Sequence, residues 1–429
     1  MVENRPSNYL YRCFSCEKRY SAEEIESIPH YLCPSCGRAE KKKPLQGVLW
    51  IEYDYDMIRD TLPVKSFRSL PPGKFWLYPP LWPLAFSPQT EVPVPEGVKR
   101  EQLKYLSLPS DLFFQIKIGD HCFWILDDTR NPTFSYKDRA SELVVLKAIQ
   151  RETREITVAS TGNAGSSLAG ICARLGLNAN IWVPDSIPEN KRLQIQAYGA
   201  HLHLVQGDYD MAFDVSLEVS GQKGWYNRNT AYNPLTIEGK KSGAYDMFIQ
   251  FGREMPDYIF IPCGDGVILG GIYKGLREML QLGWIEHYPQ LVAVQAVGSD
   301  ALVRYMDTHH FEYTRAQTMA DSICAGAPRN LFMAAKALEE TGGRAVVVSD
   351  MEILEAQKQI AQKTGILVEP AAAASLAGFY RFRESRILEK NAKVLLLFTG
   401  NGLKDMNAIE SWINRPEAKS PEDWLRYYQ

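Results

Sequence analysis

Lys137 stands in a run of residues that suits covalent chemistry at an amine. The run is NPTFSYKDR, residues 131–139, and an apolar stretch, residues 143–146, follows it. A lysine among charged neighbours is ordinarily a solvated surface group, because lysine is rarely buried without a partner. A lysine that attacks a carbonyl must be neutral, so burial or nearby positive charge has to lower its pKa. The apolar stretch would supply that burial, and we predict that Lys137 is a Schiff-base lysine.

Three glycine-bearing corners follow Lys137, each directly after a predicted strand. Their sequences are STGNAG (160–165), CGDGVILGG (263–271) and TGNGLKD (399–405). A strand that turns into a helix points backbone N–H groups and the positive helix end at an anion. In the second corner, Gly264 and Gly266 would let the backbone close around a phosphate, although it is neither a Walker A loop nor a dinucleotide fingerprint. Each corner taken alone also fits a plain turn.

Four of the eight cysteines form two pairs near the start of the sequence. The pairs, Cys13 with Cys16 and Cys33 with Cys36, are separated by sixteen residues. This spacing is typical of two knuckle turns that present four thiolates to one tetrahedral zinc ion. Because four sulfur ligands leave no position for water, the zinc would be structural. The alternative is four free thiols on a reduced surface.

The composition is that of an ordinary globular protein with room for more than one core. The chain has 429 residues, 45% of them hydrophobic and 23% charged, and a formal net charge of -3. So weak a charge gives no general attraction to nucleic acid or to anionic membranes. The first residues lack the apolar core of a signal peptide, and no stretch approaches the roughly 20 apolar residues that span a bilayer. We therefore expect a cytoplasmic protein.

Short β-rich runs alternate with helical stretches from Phe113 onward, which is typical of parallel α/β units. The predicted strands cover residues 156–159, 179–183, 202–205, 258–262, 292–296, 345–348 and 394–398. The predicted helices cover residues 166–175, 190–198, 240–251, 270–282, 351–363 and 371–382. Upstream, residues 41–110 are rich in proline and aromatic residues, and we expect them to wrap over a core as extended chain.

Together these motifs resemble threonine synthase, a pyridoxal-phosphate (PLP) enzyme of the fold type II, tryptophan synthase β-like group. The resemblance covers about residues 124–407 and keeps the order of the motifs. Further matching stretches are AYGA (197–200), NP (233–234), EG (238–239), VQA (294–296) and EP (369–370). The resemblance implies an α/β fold with two open parallel-sheet domains and a PLP cleft between them, in addition to an N-terminal zinc ribbon.

The same comparison with the family gives an expected division of the chain. Residues 1–45 would form a zinc-ribbon-like module that carries the four paired cysteines. Residues 46–134 and 231–429 would form the large α/β domain, and residues 135–230 the small one. The expected partner is a small amino-acid substrate, with no nucleic acid and no membrane. Family members are commonly dimers, which leaves a homodimer open for this chain.

The resemblance also implies a role for each motif residue around PLP. Lys137 would be the catalytic residue and hold the cofactor as a Schiff base, while Asn163 would hydrogen-bond its phenolic oxygen. Thr399 would face the pyridine nitrogen, which a hydroxyl would not keep protonated, and residues 264–268 would cradle the phosphate. The predicted cofactor-binding residues are Lys137, Asn163, Gly264, Asp265, Gly266, Val267, Ile268 and Thr399.

The implied substrate site lies on the first corner. The predicted substrate-binding residues are Ser160, Thr161, Asn163 and Lys191. The first three would receive the substrate's carboxylate, as a loop of N–H donors and hydroxyls can. The family converts O-phosphohomoserine and water to threonine and phosphate, and that lyase reaction is the first function we predict for this chain.

Several residues depart from the family's pattern around the expected substrate. Thr236 stands where the family carries an arginine expected to grip the substrate's phosphate, so a bidentate donor is lost. Asp265 and Asp208 stand where asparagine is common, and a carboxylate beside a dianion is repulsive unless a cation intervenes. The candidate cations are Lys191, Arg192, Lys240 and Lys241. Phe134 replaces the usual glycine before Ser135.

These departures leave two other functions open. A relative with the same fold would catalyse β-elimination or β-replacement on serine, threonine, phosphoserine or a related amino acid, and the missing arginine favours this alternative. The third interpretation makes the zinc ribbon the working part of a non-enzymatic protein that binds protein or nucleic acid. The weak overall charge argues against a nucleic-acid role.

Overall fold

The computed structural model describes most of the chain, as an α/β protein with three sheets. The described residues are 9–27, 31–71, 73, 78–87, 93–103, 108–109, 111–160, 162–185, 187, 189–207, 209–385, 388, 391–414 and 416–428. Thr161, a predicted substrate-binding residue, and Asp208 lie outside the described residues. Among the described residues, no helix is both long and apolar enough to cross a bilayer.

The described part of the chain contains thirteen strands and sixteen α-helices. The strands are β1 (Tyr9–Cys13), β2 (Arg19–Ser21), β3 (Leu49–Tyr53), β4 (Phe113–Ile118), β5 (His121–Asp127), β6 (Glu155–Ala159), β7 (Asn178–Pro184), β8 (His201–Val205), β9 (Tyr226–Asn227), β10 (Tyr258–Pro262), β11 (Gln290–Ala296), β12 (Arg344–Val348) and β13 (Val394–Phe398). The helices are α1 (Ala22–Glu26), α2 (Tyr55–Thr61), α3 (Val64–Arg68), α4 (Asp138–Gln150), α5 (Asn163–Leu175), α6 (Glu189–Ala197), α7 (Tyr209–Lys223), α8 (Leu235–Lys240), α9 (Ser242–Phe251), α10 (Val267–Gln281), α11 (Ala301–Thr308), α12 (Leu331–Glu340), α13 (Asp350–Thr364), α14 (Pro370–Glu384), α15 (Met406–Glu410) and α16 (Pro421–Tyr427).

The largest sheet has six strands in the order β12-β11-β10-β13-β5-β4. Five of them run parallel, and β4 pairs antiparallel with β5 at one edge. The central strands β10 and β13 are continuous apolar runs in which every residue is buried. Successive side chains point to opposite faces, so Ile259 and Phe260 belong to different core clusters. Residues of α10 join the first cluster and residues of α14 the second, so helices cover both faces.

The second α/β sheet has four parallel strands in the order β8-β7-β6-β9. Its strands all come from residues 155–227, whereas the six-stranded sheet draws on residues before and after them. Each of the seven predicted strands is confirmed, with bounds within two residues of the prediction. The predicted α/β fold with two parallel-rich sheets is therefore confirmed, and the limits of the two domains stay a prediction.

The predicted helix over residues 240–251 is divided in two at Lys241. One part, α8, begins earlier than predicted and ends at Lys240, and α9 begins at Ser242. The packing of α8 depends on Gly239, where a Cβ would lie 2.3 Å from the carbonyl oxygen of Arg139. Glycine thus lets α8 lie directly against the first turn of α4, which brings Lys240 towards the start of that helix.

The third sheet is antiparallel and has the order β2-β1-β3. Strand β3 belongs to residues 41–110, which also contain the helices α2 and α3. The prediction of purely extended chain there was therefore wrong. Its aromatic residues instead form core contacts, because Trp50, Phe67 and Tyr78 are all buried. An apolar aromatic side chain is held in place by such burial even where proline interrupts regular structure.

Candidate active site

A cavity of about 670 Å³ lies at the carboxyl ends of strands from both α/β sheets. The predicted residues that line it are Lys137, Ser160, Asn163, Gly264, Asp265, Gly266, Val267, Ile268 and Thr399. All the predicted cofactor-binding residues therefore surround one space, although they are spread over more than 260 positions of the chain. A strand's carboxyl end is where open α/β sheets bind ligands.

The position of Lys137 is fixed by two hydrogen bonds of Tyr136, the residue before it. The residue immediately precedes α4, and its side chain is partly exposed to the cavity. The N–H of Tyr136 donates to the carbonyl oxygen of Thr399 at 2.9 Å, and the Tyr136 hydroxyl donates to the carbonyl oxygen of Lys240 at 2.9 Å. These two bonds fix the start of α4 against the third corner on one side and α8 on the other.

The charged neighbours of Lys137 are buried scaffold groups. Arg139 has no exposed side-chain surface and pairs with Asp128 at 2.6 Å and with Asp246 at 2.5 Å. Asp138 accepts hydrogen bonds from the Thr133 N–H at 2.7 Å and from the Ser167 hydroxyl at 2.7 Å. Asp138 and Arg139 therefore have protein partners and do not line the cavity, whereas Lys137 does.

The surroundings of Lys137 lower the pKa of its amine. Burial is the main cause, and the positive charge of Arg228 lowers the pKa further, whereas Asp265 and Glu369 act in the opposite direction. An amine with a lowered pKa is neutral for a larger fraction of the time at neutral pH, and the neutral amine is the nucleophile and the base. This environment agrees with the prediction of a Schiff-base lysine.

The second corner contains two glycines that the packing of neighbouring segments requires. Gly266 has φ +77°, and a Cβ on Gly264 would lie 2.8 Å from the Cα of Ile323. The corner opens the fifteen-residue helix α10 at Val267, and residues 264–269 all line the cavity. One carboxylate oxygen of Asp265 accepts from the backbone N–H of Arg329 at 3.1 Å. Such a helix start binds phosphate without further charged side chains.

Asn163 begins α5 and hydrogen-bonds to Glu369, a residue to which the sequence analysis gave no role. Its side-chain amide donates to both carboxylate oxygens of Glu369 at 2.9 Å and to the Ser322 hydroxyl at 3.2 Å. Burial raises the pKa of Glu369. In the sequence, Glu369 appeared only as part of the EP stretch (369–370) that matches the family. A bond from Asn163 to a phenolic oxygen of PLP stays a prediction.

Lys191 lies beside the cavity, in a small adjoining pocket. Its amine pairs with the Asp321 carboxylate, and the pocket is also lined by Asn163 and Lys404. Burial lowers the pKa of Lys404 to about 8, against an opposing effect of Glu369. The role of Lys191 in substrate binding stays a prediction.

Thr236, the position of the missing arginine, does not line the cavity among the described residues. Its side chain is fully buried, donates to the carbonyl oxygen of Asn233 at 2.8 Å and accepts from the N–H of Ala231 at 3.0 Å. This pair of bonds closes a turn in which Ala231 has φ +58°. Thr236 therefore has a local structural role.

Sequence reasoning missed Arg228 altogether and named Lys240 only as a candidate cation. Both side chains are fully buried. Neither the two Nη atoms of Arg228 nor the Nζ of Lys240 has a hydrogen-bond partner among the described residues. Burial lowers the pKa of Lys240 well below its ordinary value, and Lys137 and Arg228 lower it further. Lys137 and Arg228 line the cavity, and both act electrostatically on Lys240, which does not line it; we call these three side chains the cationic wall.

The four N-terminal cysteines form a separate cluster at the end of β1. Their sulfur atoms all lie within 4.8 Å of one another, with Cys13 and Cys36 at 3.4 Å and Cys16 and Cys33 at 3.7 Å. Zinc–sulfur bonds of about 2.3 Å at tetrahedral angles separate the sulfurs by roughly 3.8 Å. Backbone N–H groups of Ser15 and Cys16 point at the Cys13 sulfur, as in a knuckle turn. The cluster fits a zinc ion.

Comparison with protein families and known proteins agrees with the site. Residues 111–400 match the family described as pyridoxal-phosphate dependent enzyme. The threonine synthase of Methanocaldococcus jannaschii is 31% identical over 410 residues, covering 93% of this chain and 94% of that protein. The threonine synthase of Halalkalibacterium halodurans is 34% identical over 294 residues, 68% of this chain and 81% of that protein.

Solved structures show the same fold. Threonine deaminase isoform 2 from Solanum lycopersicum matches with a TM-score of 0.60 at 20% identity, over 76% of this chain and 95% of that one. Maize serine racemase matches with a TM-score of 0.59 at 17% identity, over 71% of this chain and 88% of that one. The chain belongs to the family of pyridoxal-phosphate-dependent enzymes. Within that family it is a threonine synthase-like enzyme, since the likeness to threonine synthases extends over nearly its whole length.

Proposed function

We propose that this enzyme is a PLP-dependent lyase that converts O-phosphohomoserine and water to threonine and phosphate. The observation that supports the proposal is the 31% identity to a threonine synthase over 93% of this chain. The likeness covers 93% of this chain and so extends beyond residues 111–400, which the family model matches, and a shared fold alone would not require that.

The cavity is suited to the cofactor that the family uses. The glycine corner at residues 264–268 would take the phosphate, because it lines the cavity and leads into the start of α10. Lys137 would supply the amine that links to the cofactor, and Thr399 would lie at the ring nitrogen. When bound, PLP supplies an electron sink for negative charge at the substrate's Cα.

The residues of the chain would then position the substrate and move its protons. Ser160 and Asn163 would hold the carboxylate at the start of α5, where backbone N–H groups favour an anion. The amine of Lys137, once released, would take the Cα proton and return protons nearby, because its lowered pKa leaves it neutral more often. Burial of the wall behind it would keep bulk water from that amine.

A second function is favoured by one observation. Thr236 holds a local turn and lies away from the cavity lining, so the family's phosphate-gripping arginine has no counterpart at that position. β-Elimination or β-replacement on serine, threonine or phosphoserine needs no such arginine for a distal phosphate on Cγ. We keep this as the alternative function of the same site.

Product analysis separates the two functions. The purified holoenzyme is incubated separately with O-phosphohomoserine, phosphoserine, serine and threonine, and phosphate, ammonia and threonine are measured. Phosphate and threonine formed from O-phosphohomoserine are the result that we expect. Ammonia from serine or threonine, without turnover of O-phosphohomoserine, would replace the first function by the second. Absence of a PLP absorbance band that borohydride bleaches would contradict both.

We also propose that the cysteine cluster binds a structural zinc ion. The support is the sulfur spacing and the lack of a position for water among four thiolates. Metal analysis should give one zinc per chain. A chelator should destabilise residues 9–53, because small metal sites contribute directly to folding, while the cofactor's absorbance stays. Loss of the PLP band together with zinc would show that the metal does more than hold this segment.

A further inference from the structure

Arg228 is a buried cation without the partners that a buried cation requires. Its side chain is fully buried, and neither Nη atom has a hydrogen-bond partner among the described residues. The Nε atom donates only a long hydrogen bond, to the Ser141 hydroxyl at 3.3 Å. Arg228 is one of the residues that line the cavity. Because buried polar groups almost always have partners, two orphaned N–H-bearing atoms on a cavity wall indicate a ligand that supplies acceptors.

The fold places Arg228 on the substrate side of the cavity. It directly follows β9, and its N–H donates to the carbonyl oxygen of Thr157 in the neighbouring strand β6 at 2.8 Å. Strand β6 runs into Ser160, the start of the first corner. Ser141 lies one turn into α4, which Lys137 precedes. The guanidinium is therefore held between the predicted carboxylate site and the start of the lysine's helix.

Two of the candidate cations named from the sequence, Lys191 and Lys241, pair with carboxylates. Lys241 contacts Glu278 at 2.9 Å and also pairs with Glu238, both away from the cavity lining. Lys191 pairs with Asp321. Lys240 does not line the cavity, although the charge of Asp265 in the glycine corner raises its pKa against the lowering effect of burial. Neither Nη atom of Arg228, by contrast, has a hydrogen-bond partner among the described residues, although Tyr209 and Asp138 raise the pKa of its guanidinium against the effect of burial.

We propose that Arg228 binds the phosphate group of the substrate and so replaces the arginine that is missing at position 236. The inference rests on the proposed function, since it requires a substrate with a distal phosphate. A guanidinium presents two parallel N–H donors, which match two oxygens of a phosphate. Burial lowers the pKa of Arg228 only to about 10, so the group is charged at neutral pH and suits a dianion.

The test uses the holoenzyme and three variants. Arg228→Gln removes the charge and the paired donors, and Arg228→Lys keeps the charge but not the paired donors. Arg253→Gln is the matched control, because Arg253 is an exposed arginine that pairs with Glu286 far from the cavity lining. Each protein is titrated with inorganic phosphate, O-phosphohomoserine and threonine, with the cofactor's absorbance as the readout, and KM and kcat are measured where turnover occurs.

Arg228→Gln should weaken binding of inorganic phosphate and raise KM for O-phosphohomoserine on the order of 100-fold. Arg228→Lys should weaken both on the order of tenfold, because one contact of the pair is lost. Threonine has no phosphate, so its binding should stay within about twofold of the parent, and so should the amount of bound cofactor. Arg253→Gln should give the same result. The substitutions at Arg228 remove only a contact to phosphate that is equally strong in the ground state and the transition state.

Three results would overturn the inference. The first is unchanged phosphate binding in Arg228→Gln or Arg228→Lys. The second is loss of cofactor in Arg228→Gln, which would assign the guanidinium to the cofactor's phosphate. The third is failure of both variants to fold, judged by circular dichroism, which would make Arg228 a structural residue. Failure of the proposed function looks different, because the parent would then bind inorganic phosphate through Arg228 without turning over O-phosphohomoserine.

Discussion

Lys240 and Lys241 are neighbours in the chain and equally buried, yet they lie in opposite kinds of surroundings. The amine of Lys241 contacts Glu238 and Glu278 and lies 4.4 Å from the centre of the Tyr53 ring. The amine of Lys240 has no hydrogen-bond partner among the described residues, and its charged neighbours include the cations Lys137 and Arg228. One lysine belongs to a closed ion network, and the other belongs to the cationic wall.

The closed network explains why the N-terminal segment stays on the α/β core. The Tyr53 hydroxyl, at the end of β3, donates to Glu238 of α8 at 2.6 Å. Lys274 of α10 contacts both Glu238, at 3.6 Å, and Glu278. Each charge therefore has a counter-charge, and the network needs no ligand. In the cationic wall, Lys240 Nζ and both Nη atoms of Arg228 lack a hydrogen-bond partner among the described residues. Burial without a partner, more than burial itself, therefore distinguishes this wall from the scaffold.

The largest effect should come from removing the reactive lysine of the cationic wall. We expect Lys137→Ala to lower turnover by on the order of 10³-fold or more, because one amine acts both as the covalent link and as the base. The absorbance band that borohydride bleaches should also disappear. Lys336→Ala is the control, since Lys336 is an exposed lysine whose side chain is 49% accessible.

If the absorbance band that borohydride bleaches survives in Lys137→Ala, an amine other than that of Lys137 must bind the cofactor. Lys240 is the other unpaired lysine on this wall, and it would then be the amine that binds the cofactor. Mass spectrometry of the borohydride-reduced protein identifies the modified lysine directly, so the two assignments can be separated in one measurement.

The next effect tests the closed network. We expect Lys241→Met to lower the free energy of unfolding by about 3–5 kcal/mol, because Glu238 and Glu278 would each lose a partner while remaining buried. Urea denaturation of the apoprotein measures it. If Lys241→Met does not lower the free energy of unfolding more than Lys240→Met does, the two lysines do not differ as their contacts indicate.

Lys240→Met is the matched substitution on the cationic wall and should have the opposite sign. Removing an unpaired buried amine should raise the stability of the apoprotein by about 1–2 kcal/mol at pH 7. The pKa of Lys240 is lowered by burial in the folded state, so the unfolded chain binds a proton that the folded chain does not. Parent stability therefore rises with pH, and the gain in the variant should shrink as pH approaches about 10.4.

Denaturation of both proteins at pH 7, 8 and 9 checks this dependence. A gain that grows with pH would mean that Lys240 is charged in the folded apoprotein and has a partner there. In the holoenzyme the same substitution should weaken cofactor binding, because Lys240 interacts electrostatically with Asp265 of the corner that would hold the cofactor's phosphate.

The sequence was sufficient for the features that depend on local pattern. Continuous apolar runs predicted β10 and β13, and glycines at 264 and 266 predicted a corner that a side chain would block. The cysteine spacing predicted a cluster whose sulfur atoms do meet. The apolar runs and the cysteine spacing are local patterns, so no knowledge of tertiary contacts was needed to recognise them, although Gly264 is also required by its close approach to Ile323.

The cationic wall could not be predicted in the same way. Arg228 reaches the cavity only because β9 pairs with β6, a strand about 70 residues earlier. Lys240 lies beside it because Gly239 lets α8 approach α4. The sequence shows that Thr236 replaces an arginine, but it does not show that the Thr236 hydroxyl hydrogen-bonds to the backbone of Ala231 and Asn233. Contacts between distant segments decide these positions.

The smallest effect concerns the backbone next to the reactive lysine. Phe134 has φ +70°, and its side chain is 46% exposed. A residue other than glycine in this region costs roughly 1 kcal/mol, and asparagine tolerates it better than most. We expect Phe134→Asn to raise the free energy of unfolding by about 0.5–1 kcal/mol, because little buried apolar surface is lost.

Phe134→Val is the matched comparison, because a β-branched side chain is the least compatible with positive φ. Valine should lower the free energy of unfolding where asparagine raises it, as urea denaturation would show. The N–H of Asn401 donates to the carbonyl oxygen of Phe134 at 3.1 Å, so both variants keep the bond that ties this loop to the third corner. Equal changes in the two variants would mean that lost side-chain contacts, and not the backbone conformation, determine the stability of the loop that carries Lys137.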